Sequence, residues 1–399
     1  MNVELHVDAS LEDPHPRGAV KPISVFFAAS SFPSNRDDWK SVFIRNLAQA
    51  LAKREDIELN IWAPRGECSG GVNWATTAKD EFLLAKLMRL GGIAHLLGTR
   101  PLLGILLAAR MLLAMRRAAS RTSCQLHHVN WLQNAIALPQ DGKPLLVSAL
   151  GSDMKLLDHA MVRALLRRAF RHRQVRICPN AEWMVAPLRE CFADLATVEA
   201  VPLGIDEQWF NIRRRPITQP ARWLAVTRLT EDKIGELFTW GAPCFAKESG
   251  RQLHIFGPQQ EPVNIPAWVH YHGAATPCEL LDRWFPEATG LITLSRHSEG
   301  RPQVMLEAMA SALPVIASDL RAHTDLLTDG QTGVICRSAG ELGRQLESLE
   351  GVETNLQIGE AAREAAKARA GTWQDCADRY HRIYLELIGA KAKCAAPLS

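Results

Sequence analysis

The sequence predicts an α/β protein made of two successive doubly wound parallel-sheet units. Three observations carry that reading. Short β-branched or aromatic runs alternate with longer helical patterns along the chain. At 399 residues it exceeds the size at which one hydrophobic core usually keeps growing. Near the middle lies "NIRRRPITQPARW" (211–223), basic and carrying Pro216 and Pro220, which reads as a linker.

The first unit opens with a strand, "ISVFFAAS" (23–30), then a helix, "SVFIRNLAQALAKR" (41–54), and a second strand, "IELNIWAP" (57–64). Further strands are expected at "LLVSAL" (145–150), "VRICP" (175–179) and "VEAVPLG" (198–204). A second series follows the linker: "WLAVTRL" (223–229), "LHIFG" (253–257), "WVHYHG" (268–273), "GLITLS" (290–295), "PVIAS" (314–318) and "TGVIC" (332–336). Most of these runs lack clean polar alternation, as strands covered on both faces do. In open α/β sheets ligands bind beyond the carboxyl ends of the strands, so the loops there should hold the chemistry.

Composition narrows the function classes. Hydrophobic residues make up 47% and charged residues 22%, the profile of an ordinary globular protein. A net charge of +3, without a nucleic-acid-binding signature, argues against a nucleic-acid partner. Nine cysteines, with no CxxC pair, suggest neither a disulfide framework nor a zinc site and fit a cytoplasmic setting. "MNVELHVDASLEDPHPRGAVKP" has no apolar core, so a loose tail over 1–21 is expected rather than a secretory signal. "PLLGILLAARMLLAM" (101–115) is interrupted by Arg110 and falls short of the roughly 20 apolar residues of a spanning helix.

Charge is unevenly placed. Residues 79–121 carry eight Lys and Arg against Asp80 and Glu81, and "RALLRRAFRHRQVR" (163–176) has no acid. Both segments are interleaved with apolar residues. They read either as a surface resting on anionic lipid, hence a peripheral membrane contact, or as two solvated helical faces packed on a core.

The densest chemistry lies in "SRHSEGRPQVMLEAMASALPVIAS" (295–318). Arg296–Val304 should form a strand-to-helix loop at the ligand edge, with Pro302 in the first helical turn. That helix start offers unpaired N–H groups to a phosphate, and Gly300 lets the backbone approach closely. Glu299 would then hydrogen-bond hydroxyls, and Glu307, about a turn and a half on, a ribose diol. Taken alone, two acids at this spacing equally suit an exposed helix start and helix face.

The stretch resembles the donor-site signature of retaining glycosyltransferase family 4, of the type that builds bacterial cell-surface polysaccharides. "VTRLTEDKIG" (226–235), "VPLGIDEQWF" (201–210), "LVSALGSDM" (146–154) and "TDGQTGVIC" (328–336) resemble further landmarks of that family. The resemblance implies the GT-B fold, two Rossmann-like domains facing across a cleft. It implies an acceptor-side domain over 22–210, joined by the C-terminal helix 372–395, a linker over 211–222 and a donor domain over 223–371. Arg228 and Lys233 would neutralise the departing diphosphate, Glu299 would hold the donor sugar, and Glu307 the ribose. Gly300, Arg301, Pro302, Gln303 and Val304 would line the phosphate seat, and Gly151, Ser152 and Asp153 the acceptor side. A UDP- or GDP-sugar donor, a glycan or lipid-linked acceptor, and no metal are implied. No Asp-x-Asp pair occurs in the sequence, which agrees with metal-free chemistry.

Three positions depart from the family pattern. Leu150 stands where His usually precedes Gly-Ser-Asp, Ser41 where a glycine is expected, and Ala312 where Gly is usual. His127 and His128, in "LHHVNWL", are expected at a strand end. They read either as stand-ins for the missing His or as ordinary polar residues of the strand terminus.

Overall fold

The computed structural model of the chain describes residues 21–395 apart from 37, 217–218 and 247–248, so residues 1–20 of the expected tail lie outside it. Among the described residues, the first sheet holds β1 (Ile23–Ala28), β2 (Ile57–Trp62), β3 (Val72–Trp74), β4 (Leu126–Asn130), β5 (Leu145–Ala149), β6 (Val175–Pro179) and β7 (Thr197–Val198). Their order is β3-β2-β1-β4-β5-β6-β7, parallel throughout. The second sheet holds β8 (Ala221–Val226), β9 (Arg251–Phe256), β10 (Val269–Tyr271), β11 (Gly290–Thr293), β12 (Val315–Ser318) and β13 (Val334–Cys336). Its order is β10-β9-β8-β11-β12-β13, also parallel. This is the α/β architecture expected. In each sheet the order of connection reverses once, between β1 and β4 and between β8 and β11. Crevices at such reversals are where doubly wound folds take their ligands.

Each sheet is covered on both faces, which explains the unbroken apolar strands. Helices Ala78–Arg89, Pro101–Arg121 and Ala160–Phe170 pack on one side of the first sheet, through Leu84, Met115 and Leu166 against Phe26 and Val129. Helix Val42–Ala52 covers the other side together with the last helix, Trp373–Ala395, whose Tyr380, Ile383, Tyr384 and Leu387 join Val25 and Phe27 in one core. Trp373 packs against the same cluster. No helix is long and apolar enough to cross a membrane among the described residues.

Several local expectations needed adjustment. The sequence reading missed β3, and β7 is two residues long instead of seven. Val201 N–H still bonds Pro179 O, but Pro202 has no N–H to continue the ladder. The segment read as a linker is not loose: Arg214 is bonded to Ala312 O and Asn355 Oδ1, and Arg215 N–H to Pro286 O. His127 and His128 are not at a strand end. They occupy the fully buried interior of β4. His128 bonds Tyr384 Oη at 2.6 Å and Ser148 Oγ at 2.8 Å, and His127 reaches Asp141 at 3.0 Å. Both rings serve the core and neither faces a sugar. Burial pushes His128 down to about 3. Leu150 likewise packs into the core, so no histidine from this region takes the place it leaves.

Candidate donor-binding site

The groups singled out in the second domain come from the loops that follow β8 and β11, neighbours at the order reversal. After β8 the chain turns through Thr227–Thr230, and Thr230 caps the short helix Glu231–Ile234 that carries Lys233. After β11 it runs to Pro302, the cap of helix Gln303–Ala310. Lys233 Nζ meets Glu299 Oε2 at 2.6 Å, both side chains being largely buried. The two loops are thus tied across the crevice, with Arg296 N–H to Asp232 O at 2.8 Å and an outer Arg296–Glu236 ion pair at 3.3 Å adding to the link. Arg228 Nη1 bonds Gln260 at 3.2 Å, and its guanidinium stands 5.7 Å from the ring of Trp39, a first-domain residue on the opposite wall.

The helix start has the form expected of an anion seat. Met305 and Leu306 N–H bond back to Pro302 O, while those of Gln303 and Val304 find no backbone acceptor among the described residues. The side chain of Gln303 bonds Gly204 O at 3.0 Å. Val304 packs on the core below. Glu307 lies on the same helix, its side chain half-buried. Burial, with repulsion from Asp206, pushes it from 4.5 to about 8. That shift favours its protonated form, which can donate as well as accept.

The motif Gly151–Asp153 forms the loop after β5. Both oxygens of Asp153 are engaged by main chain, accepting from Leu132, Leu150 and Gly151 N–H at 2.9–3.0 Å. The carboxylate shapes the loop, leaving exposed Ser152 as the accessible polar side chain of the three. Burial raises the Asp153 pKa against the pull of those donors. Gly151 has φ +102°, and a Cβ on it would lie 2.0 Å from Gly300 N. A Cβ on Gly300 would in turn meet Leu150 O at 2.5 Å. The two glycines let the lobes touch main chain to main chain.

Arg301 is engaged by Asp325 at 3.1 Å. Asp325 also accepts from Glu182 and Trp183 N–H of the first domain, and Trp183 Nε1 donates to Gly300 O at 2.9 Å. The loop before Pro302 is therefore held by the opposite lobe directly at Gly300, and at Arg301 through Asp325. His323 receives its place from β12: its Nδ1 is 3.0 Å from Ser318 O, and Nε2 faces Glu299 Oε1 at 4.0 Å. Trp39, Trp183, His323 and Asp325 were not singled out in the sequence. The last two lie in the loop and short helix after β12, where the strand-end rule points.

Buried polar atoms without a partner cluster here. Asn180 Oδ1, Arg301 Nε and Nη1, Gln303 Oε1 and His323 Nε2 make no hydrogen bond among the described residues. Native interiors rarely leave such atoms unpaired, so a group of them beside one loop marks a place for polar ligand or water.

Residues 221–350 match the glycosyl transferases group 1 family. A sequence comparison with curated proteins found no match. Among solved structures, sucrose-phosphate synthase from Thermosynechococcus elongatus is similar at 15% identity, covering 92% of this chain and 100% of that one, with a TM-score of 0.67. The lipopolysaccharide outer core galactosyltransferase WaaB also has 15% identity, the same coverages and a TM-score of 0.61. Anabaena HepE, solved with UDP and glucose, shares 12%, covers 92% and 100%, and has a TM-score of 0.60. At these identities the likeness is one of fold, and the fold is GT-B. The whole chain thus shares the GT-B fold, and about a third of it, residues 221–350 around the second sheet, resembles glycosyl transferases group 1 in sequence.

Proposed function

We propose that this protein is a retaining, metal-independent glycosyltransferase of family 4, moving a hexosyl unit from a UDP- or GDP-sugar to a glycan or lipid-linked acceptor in surface polysaccharide biosynthesis. The observation that carries the reading is the Lys233–Glu299 pair across the β8/β11 crevice, beside a helix start ringed by unpartnered polar atoms. HepE, with UDP-glucose bound, supports a uridine nucleotide as the first donor to test.

In this reading the diphosphate lies against the N–H groups of Gln303 and Val304, and Lys233 and Arg228 offset the charge that grows on it as the anomeric C–O bond breaks. Glu299 keeps Lys233 aimed and accepts from sugar hydroxyls. Glu307 meets the ribose diol from its half-buried position on the helix. The acceptor hydroxyl attacks the anomeric carbon on the face the diphosphate leaves, and its proton passes to the departing phosphate oxygen. No side-chain nucleophile is required, so the work of the protein is positioning and charge stabilisation. The protein would act in the cytoplasm, on the inner face of a membrane, with the basic segments 79–121 and 163–176 toward the lipid.

The test is release of free nucleoside diphosphate from UDP-, GDP- and ADP-sugars, with and without lipid extract. Release that survives chelation of divalent metal, with the anomeric configuration of the donor kept in the product, is expected. Binding without turnover across the panel would point instead to a nucleotide-sugar-binding partner of another transferase. Conversion of the sugar while still attached to nucleotide would point to an epimerase.

A further inference from the structure

The two helices Gly92–Thr99 and Pro101–Arg121 form a hairpin whose outward surface the fold does not account for. A helix packed on a core needs one apolar stripe. For the longer helix that stripe is Gly104, Leu107, Met111, Ala114, Met115 and Ala118, all buried. Its opposite side should be polar, yet Leu102 is 85% exposed, Ile105 59% and Leu106 56%, with Leu113 further along. Leu97 of the shorter helix stands exposed beside the tip. Apolar side chains gathered on one surface, beyond what the core uses, mark a contact.

The charge pattern selects the partner. Residues 92–121 contain no Asp or Glu and five arginines, of which Arg100 and Arg110 bracket the apolar tip. Farther down, a groove of 570 Å³ between the longer helix and Ala78–Arg89 has Phe82 and Leu113 in its walls and Lys86, Arg110 and Arg117 around them. Only Arg121 of these arginines has an ion-pair partner among the described residues, Asp80 at 3.6 Å. The hairpin also springs from the cleft side of the sheet: Met88, at the end of the preceding helix, lies 3.8 Å from Ser31 just beyond β1. Helix Ala160–Phe170, which carries the second basic cluster and exposed Met161, packs on the same side of the sheet.

We infer that the hairpin tip, around Leu97, Leu102, Ile105 and Leu106, inserts into the apolar layer of an anionic membrane while the surrounding arginines and lysines meet its headgroups. Apolar side chains between cations would do nothing for a nucleic-acid backbone, whereas they are what an interfacial helix buries about 5–10 Å deep. The inference rests on the proposed function only in naming why the contact is useful. A lipid-linked acceptor anchored beside the hairpin would present its headgroup to the cleft mouth.

Co-sedimentation of the full chain with phosphatidylcholine vesicles, with and without phosphatidylglycerol, tests it. Binding is expected only with the anionic lipid and should weaken as salt rises. Leu102→Asp with Ile105→Asp should weaken it at least about tenfold, the loss of one buried leucine being enough for that. Because both positions are exposed, the melting temperature and nucleoside diphosphate release in water should not change. In Leu102→Trp, fluorescence should shift to the blue and be quenched by chain-brominated lipid, which surface attachment alone would not cause. Unaltered sedimentation of the double variant, or an unquenched tryptophan, would overturn the inference. So would a dimer in vesicle-free solution that the double variant dissociates, since the patch would then be an interface between two copies of this chain. Vesicle binding by a protein that releases no nucleoside diphosphate would leave the inference standing and the proposed function failed.

Discussion

Two clusters of polar side chains lie near strand ends, one in each domain, and they differ in how they are satisfied. In the first domain His128, Ser148, Tyr380 and Tyr384 close on one another inside the core, and Asp153 spends its oxygens on three main-chain N–H groups. In the second, Lys233 and Glu299 hold each other at the crevice while His323, Arg301 and Gln303 keep unpartnered atoms beside them. Residue type does not separate the two clusters, since both contain histidine and carboxylate. Completeness of hydrogen bonding does. A closed network rigidifies a core, and an open one has capacity for something that is not protein.

The contrast can be broken most directly at the cations. Arg228→Ala or Lys233→Ala should lower nucleoside diphosphate release at least about a hundredfold, the scale of one lost transition-state contact, with little change in melting temperature. Equal losses of activity and stability would mean that the pair is structural, like its first-domain counterpart.

Glu307 gives the next largest effect. Its pKa is raised above the value of an unfolded chain, so the native state binds the extra proton between about 4.5 and about 8. Stability should therefore fall as pH rises through that window, by roughly 2 kcal/mol between pH 5 and 7. Glu307→Gln should flatten that slope in denaturant titrations across the range. His128 works in the opposite sense. Held neutral down to about 3, it makes the fold lose stability as pH falls below its ordinary value of 6.5.

Tyr384→Phe leaves a buried ring nitrogen of His128 without its partner and should cost about 1–3 kcal/mol in unfolding free energy, without altering turnover per folded molecule. Trp183→Phe removes the indole N–H that holds Gly300 O. Losing about 1 kcal/mol there should weaken nucleoside diphosphate binding about fivefold by calorimetry. Trp39→Ala is expected to be smallest, raising KM about two- to threefold through the lost cation–π contact with Arg228 at an exposed site.

Much of the second domain was legible because its chemistry is local. Arg228, Lys233 and Glu299 each sit just beyond a recognisable strand, and the small-residue helix after Pro302 follows from its own composition. Trp183 and Asp325 were not legible, since each acts on a partner 117 and 142 residues away in the other lobe. The bonds of Asp153 to its own loop were not legible either, because the motif names only a residue type. A carboxylate that caps its own loop and one that meets substrate look alike until the donors around them are seen. His127 and His128 misled for the opposite reason: a polar pair reads as a strand terminus unless Ser148 and Tyr384 are known to await it inside.

The bare meeting of Gly151 with Gly300 also limits how closely the two lobes can approach. Where two lobes stop against each other through side chains, the stop is soft, because rotamers can yield. Here it is peptide against peptide, so the shut state has one defined separation, and a single methyl at either position would act as a doorstop.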